Sequence, residues 1–124
     1  MTEAEFKRLA AQGFNRVPLV LETFADLDTP LSIYLKLANR TNTYLLESVV
    51  GGERFGRYSF IGIASPVRLR VIGRTVSVLH GEGETERVET DAPLAFIREY
   101  LKRFRAYARP GLPRFCGGLV GYFG

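Results

Sequence analysis

Five polar or aromatic residues that could take part in ligand recognition lie in one segment, LLESVVGGERFGRYSFIG. They are Glu47, Ser48, Arg57, Tyr58 and Ser59. The first two end an apolar run, and the other three begin the next run after a diglycine loop. A hairpin of this kind would bring a carboxylate, two hydroxyls, a guanidinium and an aromatic ring to one end of two strands. Such groups bind the ammonium, the carboxylate and the side chain of a free amino acid.

A second interpretation of the same segment needs only local structure. Glu47 could form a cross-strand ion pair with Arg54 or Arg57, and Ser48 could be no more than the end of a strand. The residue types alone leave both interpretations open.

Catalysis is not expected from the residues of this chain. No pair of carboxylates is placed to hold a metal, and no histidine lies near the segment to act as a base. The single histidine, His80, is expected to be exposed at the end of a strand, and the single cysteine, Cys116, to be a small core residue. One cysteine and one histidine cannot form a disulfide framework or a cysteine–histidine metal site.

Two helices are predicted before the segment. Residues 3–12 follow a capping box and are expected to end at Gly13. A second helix is expected to begin at Asp28 or Thr29, with Pro30 in its first turn. Its inner stripe is predicted to be Leu31, Tyr34, Leu35 and Ala38.

A third helix is predicted to open at Asp91 and Pro93. Its apolar face is expected to consist of Leu94, Ile97, Leu101 and Phe104. The chain has 17 basic and 13 acidic residues, a net charge of +4, and many of the basic ones cluster around this helix. They are Arg98, Lys102, Arg103, Arg105, Arg109 and Arg114. Because no nucleic-acid motif accompanies them, they indicate a helix facing solvent or an acidic partner domain, and no nucleic acid is expected as a partner.

Strands are predicted from alternating or short apolar runs. They are residues 17–24, 43–48, 57–63, 67–73, 75–80 and 85–90. The fold class is therefore α+β, a mostly antiparallel sheet with about three flanking helices. With 124 residues, 46% of them hydrophobic, the chain has enough apolar mass for a single domain.

The last ten residues, FCGGLVGYFG, are apolar and rich in glycine. They predict a buried strand that another backbone or a ligand can approach closely. We expect this strand to be cut at its exit, so that the chain is the amino-terminal piece of a larger enzyme. The alternative is a terminal strand that closes the chain's own sheet.

Two motifs in this order, LLESVVGGERFGRYSFIG and FCGGLVGYFG, resemble the amino-terminal region of the large subunit, component I, of anthranilate synthase. The flanking runs VPLVLETF, TPLSIYLKL and PLAFIREYL fit the same region, so the resemblance covers essentially the whole chain. It implies that residues 1–124 are a single amino-terminal regulatory, tryptophan-binding domain. This domain would be an incomplete part of the larger chorismate-utilising fold and would stop where the chorismate-binding catalytic domain begins.

The resemblance also implies a reaction and a control site. The complete family enzyme is a lyase of tryptophan biosynthesis that converts chorismate to anthranilate and pyruvate. It uses magnesium and the ammonia supplied by a glutamine amidotransferase subunit, and L-tryptophan inhibits it. The resemblance makes Ser48 the signature residue of the inhibitor site and adds Glu47, Arg57, Tyr58 and Ser59. The magnesium ligands and the catalytic base would lie in the absent domain, so the 124-residue piece alone is expected to be inactive.

Other assignments stay open at this point. Component I of aminodeoxychorismate synthase, in the folate branch, has similar motifs, and a stand-alone amino-acid-binding module or a basic RNA-binding domain is a further alternative. The amino terminus has no signal or transit pattern and no apolar run nears ~20 residues, so a cytoplasmic location and no membrane partner are expected. A sheet without its partner strands would expose apolar surface, so we also expect self-association.

Overall fold

The computed structural model of the chain describes residues 1–47 and 58–124. In these ranges it has three helices and five strands, which confirms the predicted α+β class. In chain order the elements are α1 (Glu3–Ala11), α2 (Pro30–Leu37), β1 (Tyr44–Glu47), β2 (Ser59–Gly62), β3 (Val67–Ile72), β4 (Thr75–His80), β5 (Gly83–Glu89) and α3 (Pro93–Leu101). None of these helices is long and apolar enough to cross a membrane.

The chain divides into two compact units. One unit consists of Met1–Glu22 and Thr90–Gly124 and contains α1 and α3. The other consists of Thr23–Glu89 and contains α2 and all five strands. The assignment of residues 1–124 to a single regulatory domain stays a prediction.

Helix α1 begins and ends as its sequence predicts. The Thr2 hydroxyl accepts a hydrogen bond from the N–H of Glu5 at 3.2 Å, which caps the first turn. At the other end Gly13 has a φ of +86°, the left-handed conformation that glycine adopts without steric strain. The N–H groups of Gly13 and Phe14 donate to the carbonyls of Ala10 and Leu9, which satisfies the last carbonyls of the helix.

In the same unit, the residues that follow α1 are bound to the residues that follow α3. The Asn15 side chain donates to the carbonyl of Arg103 and accepts from the N–H of Arg105, both at 2.7 Å. The N–H of Tyr107 donates to the carbonyl of Arg16 at 2.8 Å. These bonds hold together two segments that are about ninety residues apart in the chain.

Two of the clustered basic residues, Arg103 and Arg105, lie on aromatic rings, and so does Arg16, which follows α1. The guanidinium carbons of Arg16, Arg103 and Arg105 are 4.5, 4.9 and 4.7 Å from the ring centres of Phe104, Tyr100 and Phe14, respectively. Contacts of this kind are worth about 0.5–1 kcal/mol each at exposed sites. Packing within the unit therefore accounts for part of the basic cluster around α3.

The strands of the second unit form two antiparallel sheets. β1 pairs with β2, and the other sheet has the order β3-β4-β5. These pairings form hairpins across Gly73 and across the turn after His80, and they confirm the strands predicted at residues 67–73, 75–80 and 85–90, the last of which begins two residues earlier, at Gly83. β4 is the central strand, with Val76 fully buried, and His80 at its end is exposed as expected.

The predicted strand at residues 17–24 is wrong. This segment has no strand structure, and Leu19, Leu21 and Phe24 are 75%, 91% and 94% exposed. A strand needs a hydrogen-bonding neighbour, and none of the described residues pairs with this segment. Pro18 also lacks the N–H that a ladder requires.

The buried strand predicted for residues 115–124 is wrong for the same reason. No strand forms there, Tyr122 and Phe123 are 94% and 86% exposed, and no described strand runs alongside. Cys116 is exposed, so its assignment to the core is also wrong. The exposed apolar surface expected from this segment is present.

The apolar faces of the last two helices are only partly as predicted. In α2 and its cap, Ala38 is buried and Tyr34 is half-buried, but Leu31 and Leu35 are more than half exposed. In α3, Tyr100 is buried, whereas Leu94 and Leu101 are exposed and Ile97 and Phe104 are half-buried. The periodicity of the apolar residues predicts which face of each helix is apolar, but it does not say how much of that face a neighbouring element covers.

Asp28 stabilises the start of α2 together with the predicted cap residue Thr29. Thr29 and Ser32 form a reciprocal capping box, and the Asp28 carboxylate accepts hydrogen bonds from Lys36 at 2.6 Å and from Ser32 at 2.7 Å. The bond from Lys36, followed by that from Ser32, holds the pKa of Asp28 below its ordinary value of 3.8.

The lowered pKa predicts an acid-sensitive contribution to stability. It is fully present above the ordinary value of 3.8 and is lost as the pH falls through the lower folded-state pKa. We expect Asp28→Asn to lower the free energy of unfolding near pH 7, less so at high salt, and to have a smaller effect at about pH 3, below the ordinary pKa. Urea denaturation of both proteins at the two pH values measures this, and a difference that is independent of pH would contradict it.

Candidate amino-acid-binding site

The strand pair β1–β2 carries the predicted site residues that the structure describes. β1 ends at Glu47 and β2 begins at Ser59, and the antiparallel register places these two residues directly opposite each other. Tyr58 immediately precedes β2. Ser48 and Arg57 lie outside the described residues, so their positions stay predictions.

A glycine and an aromatic ring set the register of this pair. Tyr44 is opposite Gly62, and a Cβ atom at residue 62 would overlap the Tyr44 ring. Leu46 is opposite Phe60, two pairs closer to the site. A slip of one residue would place a side chain under the ring of Tyr44. It would also turn all the side chains of the slipped strand to the opposite face.

The alternation of side chains separates the predicted site residues onto two faces. Glu47 and Ser59 share one face, because residues directly opposite in a ladder point the same way. Phe60 lies on the other face, and the ring of Tyr58 is 6.1 Å from the ring of Phe60, centre to centre. The structure therefore brings Glu47 and Ser59 together and places Tyr58 with the aromatic face.

The Glu47–Ser59 face offers polar groups to solvent. Both residues are exposed, and cross-strand neighbours have Cβ atoms about 4.5–5.5 Å apart. A carboxylate and a hydroxyl at this spacing can bind one ammonium group, since both oxygens can accept its hydrogens. The opposite face is apolar at this end, where Leu46 is 44% and Tyr58 is 47% exposed.

Helix α2 supports this strand pair and contacts both of its strands. The Tyr34 hydroxyl is 3.0 Å from the hydroxyl of Thr43, the residue before β1. The sequence reasoning missed this link, and also the Tyr44–Gly62 pair. Neither had a clear signal in the sequence, because Leu45 and Ile61 interrupt any polar and apolar alternation in the two runs.

Metal ligands are not gathered in the part of the chain that the structure describes. Among residues 1–47 and 58–124, no three histidine, cysteine, aspartate or glutamate side chains lie together as a metal site would require.

Fold and site together describe an α+β segment with an exposed carboxylate and an exposed hydroxyl at the end of a two-stranded sheet. Over all 124 residues the chain is 58% identical to anthranilate synthase component 1 of Pseudomonas putida and 57% identical to that of Neisseria meningitidis serogroup B. It is 44% identical over 117 residues, 94% of the chain, to the protein of the same name from Aquifex aeolicus. The chain belongs to the anthranilate synthase component 1 family and corresponds to the amino-terminal quarter of these relatives.

The chain spans about a quarter of the length of the curated relatives it matches, 25% for the first two and 24% for the third. No protein-family model and no solved structure matches it.

Proposed function

We propose that the chain is the amino-terminal regulatory segment of an anthranilate synthase component I and carries part of its L-tryptophan feedback site. The observation that carries this proposal is the 58% identity to a component 1 protein over all 124 residues. The name of the relatives favours the anthranilate branch over the folate branch. The exposed Glu47–Ser59 pair supports an amino acid as the ligand.

The proposed reaction of the longer enzyme is that of a lyase, from chorismate and ammonia to anthranilate and pyruvate. The rest of the longer protein would supply the chorismate-binding domain, the magnesium ligands and the catalytic base. A glutamine amidotransferase subunit would supply the ammonia. The described residues of this chain contain no cluster of metal ligands, so they would contribute control and not chemistry.

In the proposed site, the Glu47 carboxylate accepts hydrogen bonds from the ammonium group of L-tryptophan. The Ser59 hydroxyl binds the same group or the ligand's carboxylate. Tyr58 is on the opposite face, so its predicted contact requires a ligand that extends past the end of the strand pair. Ser48 and Arg57 complete the proposed set.

Such a site would inhibit at a distance. Tryptophan bound between this segment and a neighbouring domain favours one arrangement of the two. It shifts the equilibrium between the arrangements only by the difference in its affinity for them.

Self-association of the 124-residue chain is a further proposal, supported by the exposed side chains of Leu19, Leu21, Phe24, Tyr122 and Phe123.

The test uses the full-length enzyme that contains this segment, with the substitution Glu47→Gln. We expect the inhibition constant for L-tryptophan to rise more than tenfold, because a hydrogen bond to a charged group is worth about 1.5–3 kcal/mol. The turnover number and the KM for chorismate should stay near wild type. Inhibition curves for anthranilate formation measure all three quantities.

Glu82→Gln is the matched control, since it makes the same chemical change in the exposed turn between β4 and β5. It should leave the inhibition constant unchanged. Equal effects of the two substitutions, or no effect of Glu47→Gln, would remove Glu47 from the site.

A further inference from the structure

Two consecutive hydrogen bonds hold the turn between α2 and β1 in place. The Thr43 hydroxyl lies 2.7 Å from the carbonyl of Arg40 and donates its hydrogen there. The Tyr34 hydroxyl, 3.0 Å from the oxygen of Thr43, must then be the donor in their contact, because the hydrogen of Thr43 is already used. The order is therefore Tyr34 to Thr43 to the Arg40 carbonyl.

The same connection is held at two other points. Ala38, the C-cap of α2, is fully buried, and the N–H of Arg40 donates to its carbonyl at 2.7 Å. Asn42 has a φ of +59°, the left-handed conformation that asparagine tolerates better than most residues. The chain thus enters β1 from a tightly defined turn.

The strand pair depends on such support. An isolated two-stranded ribbon is at best marginally stable in water, and each strand here has only four residues. Glu47 is four residues beyond Thr43, which is about 13 Å along the strand. A displacement of the backbone at the start of β1 would therefore also displace Glu47. Helix α2 contacts both strands, and the Tyr34–Thr43 bond ties it to the start of β1.

We propose that Tyr34 and Thr43 are positioning residues for the candidate site. Their hydrogen bond holds the start of β1 so that Glu47, at the end of the strand, keeps its place opposite Ser59. The inference rests on the proposed function, since it concerns the response to L-tryptophan. Neither residue touches the ligand, and both act through Glu47.

The test compares the inhibition constant for L-tryptophan with the turnover number and the KM for chorismate in the full-length enzyme. Tyr34→Phe and Thr43→Val each remove one hydroxyl and keep nearly the same shape, whereas Thr43→Ser keeps the hydroxyl. We expect Tyr34→Phe, which removes one hydrogen bond, to raise the inhibition constant about twofold to fivefold. Thr43→Val also removes the bond to the Arg40 carbonyl and should raise the inhibition constant at least as much. Thr43→Ser should stay near wild type, and all three should leave the turnover number and the KM unchanged.

The double variant Tyr34→Phe with Thr43→Val should raise the inhibition constant no further than Thr43→Val alone, because Thr43→Val already removes the hydrogen bond that Tyr34→Phe removes. If the unsubstituted enzyme is insensitive to tryptophan, the proposed function fails and this inference fails with it. If it is sensitive and Tyr34→Phe leaves the inhibition constant unchanged, the inference alone is overturned. A parallel loss of turnover would also overturn it, because the bond would then serve only general folding.

Discussion

The Ser48→Phe variant of the full-length enzyme is expected to lose most of its sensitivity to L-tryptophan while converting chorismate at nearly the wild-type rate. Ser48 follows Glu47, the last residue of β1, and is the signature position of the proposed inhibitor site. Loss of one hydrogen bond alone is worth about 0.5–1.5 kcal/mol, roughly threefold to tenfold in affinity. A phenyl ring adds steric exclusion, so the total increase in the inhibition constant should exceed tenfold.

Ser48→Ala serves as the matched control, because it removes the hydroxyl without adding bulk. It should show only the threefold to tenfold part of the effect. Inhibition curves for anthranilate formation at fixed chorismate separate the two contributions. If Ser48→Phe keeps its tryptophan sensitivity, or loses turnover and inhibition together, Ser48 is the end of a strand and not part of a binding site.

The 124-residue chain alone is expected to form no anthranilate from chorismate, ammonia and magnesium. In the proposed division, the magnesium ligands and the catalytic base belong to the part of the longer protein beyond the amino-terminal quarter that this chain matches. Anthranilate fluorescence against a control without protein measures the activity. The full-length enzyme in the same buffer shows that the assay detects product.

Suppose that a micromolar concentration of the 124-residue chain forms more anthranilate than the control, in proportion to protein concentration. This result would contradict the proposal that the rest of the longer protein performs the catalysis. Catalytic groups would then have to lie within these 124 residues.

Features that depend on near neighbours in the chain could be predicted from the sequence. The cap at Thr2, the end of α1 at Gly13 and the cap at Thr29 are each set by residues within one helical turn. The hairpins formed by β3, β4 and β5 follow from alternation and from Gly73 and Gly81, both at positive φ. The placement of Glu47 and Ser59 at the same end of a strand pair follows from the two short apolar runs on either side of the diglycine loop, but their direct opposition does not.

Features that depend on distant partners could not be predicted. Residues 17–24 and 115–124 have strand-like composition, but composition does not say whether a neighbouring strand is present. The bonds of Asn15 to Arg103 and Arg105 leave no local pattern in the sequence. The separation of Tyr58 from Glu47 was also missed, because the prediction grouped residues by the end of the hairpin and not by its faces.

The measurement that tests the central claim most directly is a titration of this chain with L-tryptophan, followed through the backbone amide signals in NMR spectra. The chain has no tryptophan residue, so every indole signal in the sample comes from the ligand. We predict weak, saturable shifts at Glu47 and Ser59, much smaller ones in β3, β4 and β5, and little response to D-tryptophan. Shifts that are absent at saturating ligand, or spread evenly over both sheets, would contradict a tryptophan site at the end of β1 and β2.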